Sequence, residues 1–145
     1  MFLVDTNVIS EARKGRRAHP GVRRFFERAE AEDLALFLSA ITVGELRRGL
    51  ELIRQRGDRS QARLLEDWLN QVLADYSERV LIFDGDAAQL WGRLRVPDPG
   101  HAIDKQIAAI ALLHDLTLVT RNTADVANTG VALLNPFLPL PEDSP

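Results

Sequence analysis

The sequence lacks cysteine and has few residues of several other types on which protein chemistry often depends. The absence of cysteine excludes disulfides, thiolate zinc sites and cysteine nucleophiles, and it is typical of a reducing compartment. Aromatic residues make up only 6% of the chain, and Trp68 and Trp91 are interpreted as core residues on apolar helix faces rather than as base-stacking platforms. The three histidines, His19, His101 and His114, show no metal-ligand spacing, and each is interpreted as a surface or loop residue.

Long apolar runs and phosphate-binding glycine loops are also missing. The first apolar run, residues 2–4, ends at Asp5, and no stretch approaches the roughly 18 apolar residues of a spanning helix. We therefore expect a cytoplasmic protein with no membrane partner. The sequence contains neither a glycine-rich nucleotide loop nor a serine nucleophile elbow.

The length of 145 residues is typical of one domain, and we expect a domain over residues 1–135 followed by an extended tail over 136–145. The formal charge of −3 conceals an asymmetry, because residues 1–63 carry 13 basic and 9 acidic side chains and residues 64–145 carry 5 and 12. Seven basic residues lie between Arg13 and Arg28. They form either a solvated helix face or a phosphate-binding patch.

Apolar patterning predicts strands that alternate with helices. The predicted strands are residues 2–4, 34–38, 80–83, 116–120 and 131–134, and the predicted helices are 20–31, 42–56, a segment capped by Ser60, a segment capped by Asp84, and 103–113. This alternation is typical of parallel βαβ units, with helices on both faces of a central sheet. Such sheets bind ligands beyond the carboxyl ends of their strands.

Acidic and amide side chains lie at those positions. Asp5 follows the first predicted strand, and Asn122 and Asp125 follow the fourth, although each could instead serve a cap or a turn. Glu45 is predicted in the first turn of a helix, where Thr42 and Glu45 have capping-box spacing. Asp104 is predicted in the first turn of a buried helix, where a metal ion or the neighbouring Lys105 would relieve the cost of its charge.

Carboxylates gathered at one edge of a sheet repel one another, and a hard divalent cation is the usual remedy. Mg²⁺ or Mn²⁺ prefers oxygen ligands and bridges to substrate phosphate. Such a site could position water for attack on a phosphodiester, with arginines holding the nucleic-acid backbone.

Four segments resemble the motifs of the PIN-domain ribonucleases, in their usual order. The segments are residues 2–11, residues 39–46, residues 104–109 and residues 116–125, and the closing run from Gly130 to Phe137 is similar to the toxin branch that includes VapC and FitB. The resemblance covers nearly the whole chain and implies a three-layer α/β/α sandwich with a mainly parallel sheet of four or five strands. Val126 is a departure, because relatives commonly have Phe there.

The resemblance further implies a Mg²⁺- or Mn²⁺-dependent endoribonuclease, the toxin of a type II toxin–antitoxin pair. Asp5, Glu45, Asp104 and Asp125 carry over as the acidic metal site, with Asn122 as an alternative to Asp125. Arg13, Arg16, Arg17 and Arg121 are the expected RNA-binding residues. Family members are usually homodimers, and a small antitoxin neutralises them. Two other functions stay open: a non-catalytic RNA- or antitoxin-binding protein, and a metal-dependent phosphatase or DNA nuclease.

Overall fold

The protein has a parallel sheet whose central strand lies between two other strands, so that the carboxyl ends of all three meet at one edge. In the computed structural model, which describes residues 1–139, the strands are β1 (Phe2–Val4), β2 (Leu36–Ser39), β3 (Val80–Leu81), β4 (Thr117–Val119) and β5 (Leu133–Leu134). Their order within these residues is β3-β2-β1-β4-β5, and each neighbouring pair is parallel. Phe2 lies opposite Leu36 on one side and Thr117 on the other, so β1 is central and its last residue opens onto the shared edge.

Helices follow the strands much as the apolar pattern predicts. They are α1 (Thr6–Ala12), α2 (Pro20–Ala31), α3 (Ala40–Gln55), α4 (Arg59–Asp75), α5 (Gly85–Leu94) and α6 (Ala102–Leu113), with 3-10 helices at Gly15–Arg17 and Thr123–Thr129. Pro20 occupies the first position of α2, where its fixed φ suits a helix start. The prediction that Ser60 caps α4 is wrong, because the Asp58 carboxylate accepts the Gln61 N–H and the Ser60 hydroxyl donates to Asp58.

Alternating residues of the strands divide the core into two layers. Val4 and Val119 pack with α1–α4 on one face of the sheet. Leu3 and Leu118 pack with α5, α6 and the second 3-10 helix on the other. Since successive strand side chains point to opposite faces, three-residue strands suffice to tie both helical layers together. The predicted α/β/α architecture with a parallel sheet is therefore confirmed, with five strands.

Two further predictions concern membrane spans and the division of the chain into a domain and a tail. Among residues 1–139, no helix has the length and apolar character needed to span a bilayer. The division into a domain of residues 1–135 and a tail of 136–145 stays a prediction, and residues 140–145 lie outside the described part of the chain.

Candidate metal centre

Asp5 joins the central strand to α1 and serves as the helix N-cap. Its Oδ1 accepts the Thr6 N–H at 2.7 Å, and its Oδ2 accepts the Thr120 hydroxyl at 2.7 Å. The Asn7 amide donates to the same Oδ2 at 3.4 Å. The side chain is buried, and burial raises the pKa of Asp5 above its ordinary value although these hydrogen bonds oppose the shift. The two interpretations of Asp5, cap and site carboxylate, are thus compatible, because the cap uses only one oxygen.

Glu45 lies in α3 and contacts the residue that follows Asp5. The Thr6 hydroxyl donates to Glu45 Oε1 at 3.2 Å and lies 3.1 Å from Thr42 Oγ1. The predicted capping box is wrong: α3 starts at Ala40, and the Ser39 hydroxyl caps it by accepting the Thr42 N–H at 3.0 Å. Glu45 consequently lies in the second turn rather than the first, and Thr42 is buried beneath it.

Asp104 and Asp125 meet around His101, a residue that the sequence pattern did not single out. His101 precedes α6 with a left-handed backbone, φ 55° and ψ 47°. Its Nδ1 lies 3.9 Å from Asp104 Oδ2, and its Nε2 lies 3.7 Å from Asp125 Oδ1. One ligand atom from each of the three residues falls within 4.8 Å of the others. His101 is exposed and lies outside the helices, as predicted. Its nearness to both acids was not predicted, and its spacing of three from Asp104 was the available signal.

Asn122, the alternative to Asp125, lies beyond β4 on the protein surface. It is exposed, and its backbone N–H donates to Thr120 Oγ1 at 3.0 Å. Asp125, in the 3-10 helix that follows, is the residue whose carboxylate reaches His101. The structure thus places both candidates beyond β4, with Asp125 beside Asp104.

Lys105 does not relieve the charge of Asp104. It is buried, its Nζ donates to the Asp98 carbonyl at 2.6 Å, and it lies 3.8 Å from Asp98 Oδ2. The ammonium therefore anchors the loop before α6, contrary to the suggestion that it pairs with its neighbour Asp104.

The electrostatics of Asp104 show that the four acids form one group. Burial raises the pKa of Asp104 above its ordinary value of 3.8, and the carboxylates of Asp5, Asp125 and Glu45 raise it further, with His101 acting in the opposite direction. Each of these acids comes from a different helix or helix cap. Since oxygen donors at one point repel when ionised and are the ligands of Mg²⁺ and Mn²⁺, the residues present fit a divalent cation.

The candidate RNA-binding arginines divide into two groups. Arg13 borders a cavity shared with Thr6 and Glu45. Arg121 follows β4; its N–H donates to Asn7 Oδ1 at 3.0 Å, and its guanidinium lies 3.7 Å from the ring centre of Phe137. Arg13 therefore lies beside Glu45, whereas the Arg121 side chain is directed to Phe137.

Arg16 and Arg17 are exposed on the first 3-10 helix. Arg16 borders a different cavity, next to Ala12 and Val22. Other cations of the basic first half are paired within the protein, such as Arg47 and Arg54 with Glu66 at 2.8 and 3.0 Å.

Replacing Thr120 with Val should destabilise the protein by about 1–3 kcal/mol at pH 7, because the buried Asp5 carboxylate loses its shortest side-chain donor. Urea unfolding measures the change. Thr117→Val, on the same strand and with no side-chain hydrogen bond to the described residues, is the matched control and should change the free energy of unfolding by less than about 0.5 kcal/mol. Equal effects of the two substitutions would contradict the role assigned to the Thr120–Asp5 bond.

Comparison with known proteins supplies a second line of evidence. A family model described as the PIN domain matches residues 2–130. The toxin FitB of Neisseria gonorrhoeae is 36% identical over 145 residues, which cover 94% of this chain and 99% of FitB. The VapC ribonuclease Y4jK of Sinorhizobium fredii is 37% identical over 146 residues, which cover 96% and 99%. The solved structure of FitAB bound to an IR36 DNA fragment matches with a TM-score of 0.81 at 31% identity, covering 97% of this chain and 98% of that one.

Proposed function

The chain belongs to the PIN domain family, and from this premise we propose that it is a divalent-metal-dependent endoribonuclease and the toxin of a toxin–antitoxin pair. The observation that carries the proposal is the gathering of four acids: Thr6 hydrogen-bonds to both Asp5 and Glu45, and His101 lies between Asp104 and Asp125. The raised pKa of Asp104 agrees with this arrangement. A ribonuclease among the relatives, VapC Y4jK, supports the substrate class.

We assign the four acids distinct roles. Asp5 and Asp104 hold a Mg²⁺ or Mn²⁺ ion, since both are partly or wholly withdrawn from water and both have a raised pKa that a cation would lower. Glu45 and Asp125 complete the shell and orient water, with Asp125 favoured over the exposed Asn122 by its place beside Asp104. When bound, the cation would activate a water nucleophile and neutralise charge on the attacked phosphate.

Arginines on both sides of the acids would hold the RNA backbone. Arg13 borders the cavity that Glu45 lines, Arg121 follows β4, and Arg16 and Arg17 would extend the path along the first 3-10 helix. Stacking on Phe137 fixes the Arg121 guanidinium, so less side-chain entropy is lost when it pairs with a phosphate.

A cognate small antitoxin is the proposed protein partner. The relatives include FitB, named as a toxin, and FitAB solved as a complex on DNA. We extend that pairing to this chain, together with a homodimer, the assembly expected from the sequence.

The deciding experiment is cleavage of single-stranded RNA by the purified protein with Mg²⁺ or Mn²⁺, with EDTA, and with metal restored after EDTA. We expect cleavage only where a divalent ion is present. Parallel reactions with single-stranded DNA and a phosphomonoester separate the alternative chemistries. RNA left intact with both metals would overturn the proposal, and faster hydrolysis of DNA or of the phosphomonoester would replace it with the corresponding activity.

A further inference from the structure

The cavity that Arg13 shares with Thr6 and Glu45 lies between α1, α3 and α4, and is called the α1–α3–α4 cavity. Its volume is about 230 Å³, and Thr6 and Glu45 form part of its wall. Arg13 borders it from α1, and Leu65 and Trp68 border it from α4. Because Glu45 belongs both to this cavity and to the acidic group, the cavity adjoins the acids.

The walls of the cavity combine an aromatic ring with a cation that has no partner among residues 1–139. Trp68 is half-buried: it packs against the core, as predicted, and it also lines the cavity. Trp91, the other tryptophan, instead donates its indole N–H to the Ala102 carbonyl at 2.9 Å. The Arg13 side chain is exposed and forms neither an ion pair nor a hydrogen bond with another residue of 1–139.

This combination selects a nucleotide over an apolar peptide side chain. Bases of any type stack on aromatic rings, and arginine pairs with the phosphate that each base carries. An apolar side chain from a protein would fill the Leu65–Trp68 wall and leave Arg13 without an anion. We propose that the α1–α3–α4 cavity binds a nucleobase of the RNA substrate next to the cleaved phosphate, with Trp68 as the stacking surface and Arg13 on the adjoining phosphate. The inference rests on the proposed nuclease function and adds a subsite to it.

Gly49 allows the cavity to be filled without replacing any of the acids. It lies in α3 on the cavity wall, and a Cβ placed on it meets no heavy atom within 4 Å. A Leu at this position would therefore extend into the space and would also favour the helix. Gly92 in α5 is equally open and lies outside the cavity, so Gly92→Leu is the matched control.

Binding is tested on the wild-type protein in EDTA, where RNA stays intact. The chain has two tryptophans, hence two indole N–H resonances, and Trp68→Phe identifies which belongs to Trp68. The probes are the four ribonucleoside 5′-monophosphates and an RNA tetranucleotide, with N-acetyl-leucinamide as the apolar probe. We expect nucleotides to shift the Trp68 resonance and leave that of Trp91 in place, and Gly49→Leu to weaken the response about tenfold.

Kinetics provide the second measurement. In the presence of the metal, Gly49→Leu should raise KM for RNA about tenfold with a smaller change in kcat, and it should alter the distribution of cleavage positions, whereas Gly92→Leu should match wild type. RNA cleavage with no Trp68 shift and an unchanged KM would overturn the subsite and leave the nuclease standing. A Trp68 shift with nucleotides in a protein that cuts no RNA would support the nucleotide site and overturn the nuclease proposal. A shift with N-acetyl-leucinamide alone would assign the cavity to a protein partner and overturn the inference.

Discussion

Asp104→Asn should lower the rate of RNA cleavage by about 10³-fold, the size of loss expected when a preorganised charge interaction is removed from a reacting centre. The substitution keeps the shape of the side chain and removes the charge that we assign to metal binding. Activity is measured as initial cleavage rate in Mg²⁺ and in Mn²⁺, and growth arrest on induced expression provides a check in cells. Asp5→Asn, prepared identically, should be equally inactive, which excludes a contaminating nuclease as the source of wild-type activity.

The same Asp104→Asn substitution should stabilise the metal-free protein at pH 7 by about 1 kcal/mol. Folding raises the pKa of Asp104 above its ordinary value of 3.8. The protonated side chain therefore stabilises the fold at a pH below 3.8, and this stabilisation is lost as the pH rises through the pKa of the folded state. Asn does not ionise, so Asp104→Asn keeps its stability over this range. Its free energy of unfolding in EDTA should therefore fall less between pH 4 and pH 7 than that of the wild-type protein. Asp86→Asn is the control, because Asp86 is likewise an acid in the first turn of a helix, α5, but is exposed.

Bound metal should make the wild-type protein more stable than Asp104→Asn, the reverse of the order expected without metal. A ligand at 100 times its Kd stabilises by about 2.7 kcal/mol, a rise of about 8 °C in Tm for a chain of this size. Wild type should gain this stability in saturating Mg²⁺ or Mn²⁺, and Asp104→Asn should gain little. If both proteins respond alike in thermal unfolding, Asp104 is not a metal ligand.

Gly21→Ala should destabilise the protein by about 3 kcal/mol, a fall of about 9 °C in Tm. A Cβ on Gly21 would lie 1.9 Å from the Pro136 carbonyl oxygen, so the segment that follows β5 must move away from α2. Phe137 would move with it, and Phe137 packs on His19 at a ring distance of 5.1 Å and on Arg121. We therefore also expect KM for RNA to rise, because Arg121 loses its stack.

Gly92→Ala is the control for Gly21→Ala. Both glycines are helical, but a Cβ on Gly92 has open space, and the substitution should raise stability by up to about 1 kcal/mol. Thermal unfolding of the two variants side by side separates the helix propensity of Ala from the clash. A Gly21→Ala protein as stable as wild type would show that the segment after β5 is not packed on α2 as described.

The positions of Asp5 and Asp125 were predictable because both follow strands, and a parallel sheet brings the carboxyl ends of its strands to one edge. Asp104 was predicted from the start of its helix, α6, which follows α5 rather than a strand. The agreement of these acids with the family motifs made Glu45 predictable as well, although its helix starts two residues earlier than the pattern indicated. The capping hydroxyl belongs to Ser39, which also ends β2, and a residue shared by two elements leaves no separate boundary signal.

His101 and Lys105 were not predictable in the same way. His101 reaches Asp104 and Asp125 because its backbone is left-handed, a local choice that no residue-type pattern around it specifies. Lys105 follows Asp104 directly in sequence, but successive residues of a helix point about 100° apart, and its ammonium is directed to the Asp98 carbonyl instead. Adjacency in sequence was therefore a poor guide to which charges meet.

The position of β1 at the centre of the sheet has a consequence for biosynthesis. Its partner β4 pairs Thr117 with Phe2, so one side of β1 stays open while nearly all of the chain up to β4 is being made. Asp5 and Glu45 leave the ribosome early, and Asp104 and Asp125 come late. A nascent chain that stops short of β4 carries Asp5, Glu45 and Asp104 but lacks Asp125 and the strand that closes the second side of β1. The acidic group is therefore completed only near the end of translation, and an incomplete chain lacks the proposed nuclease site.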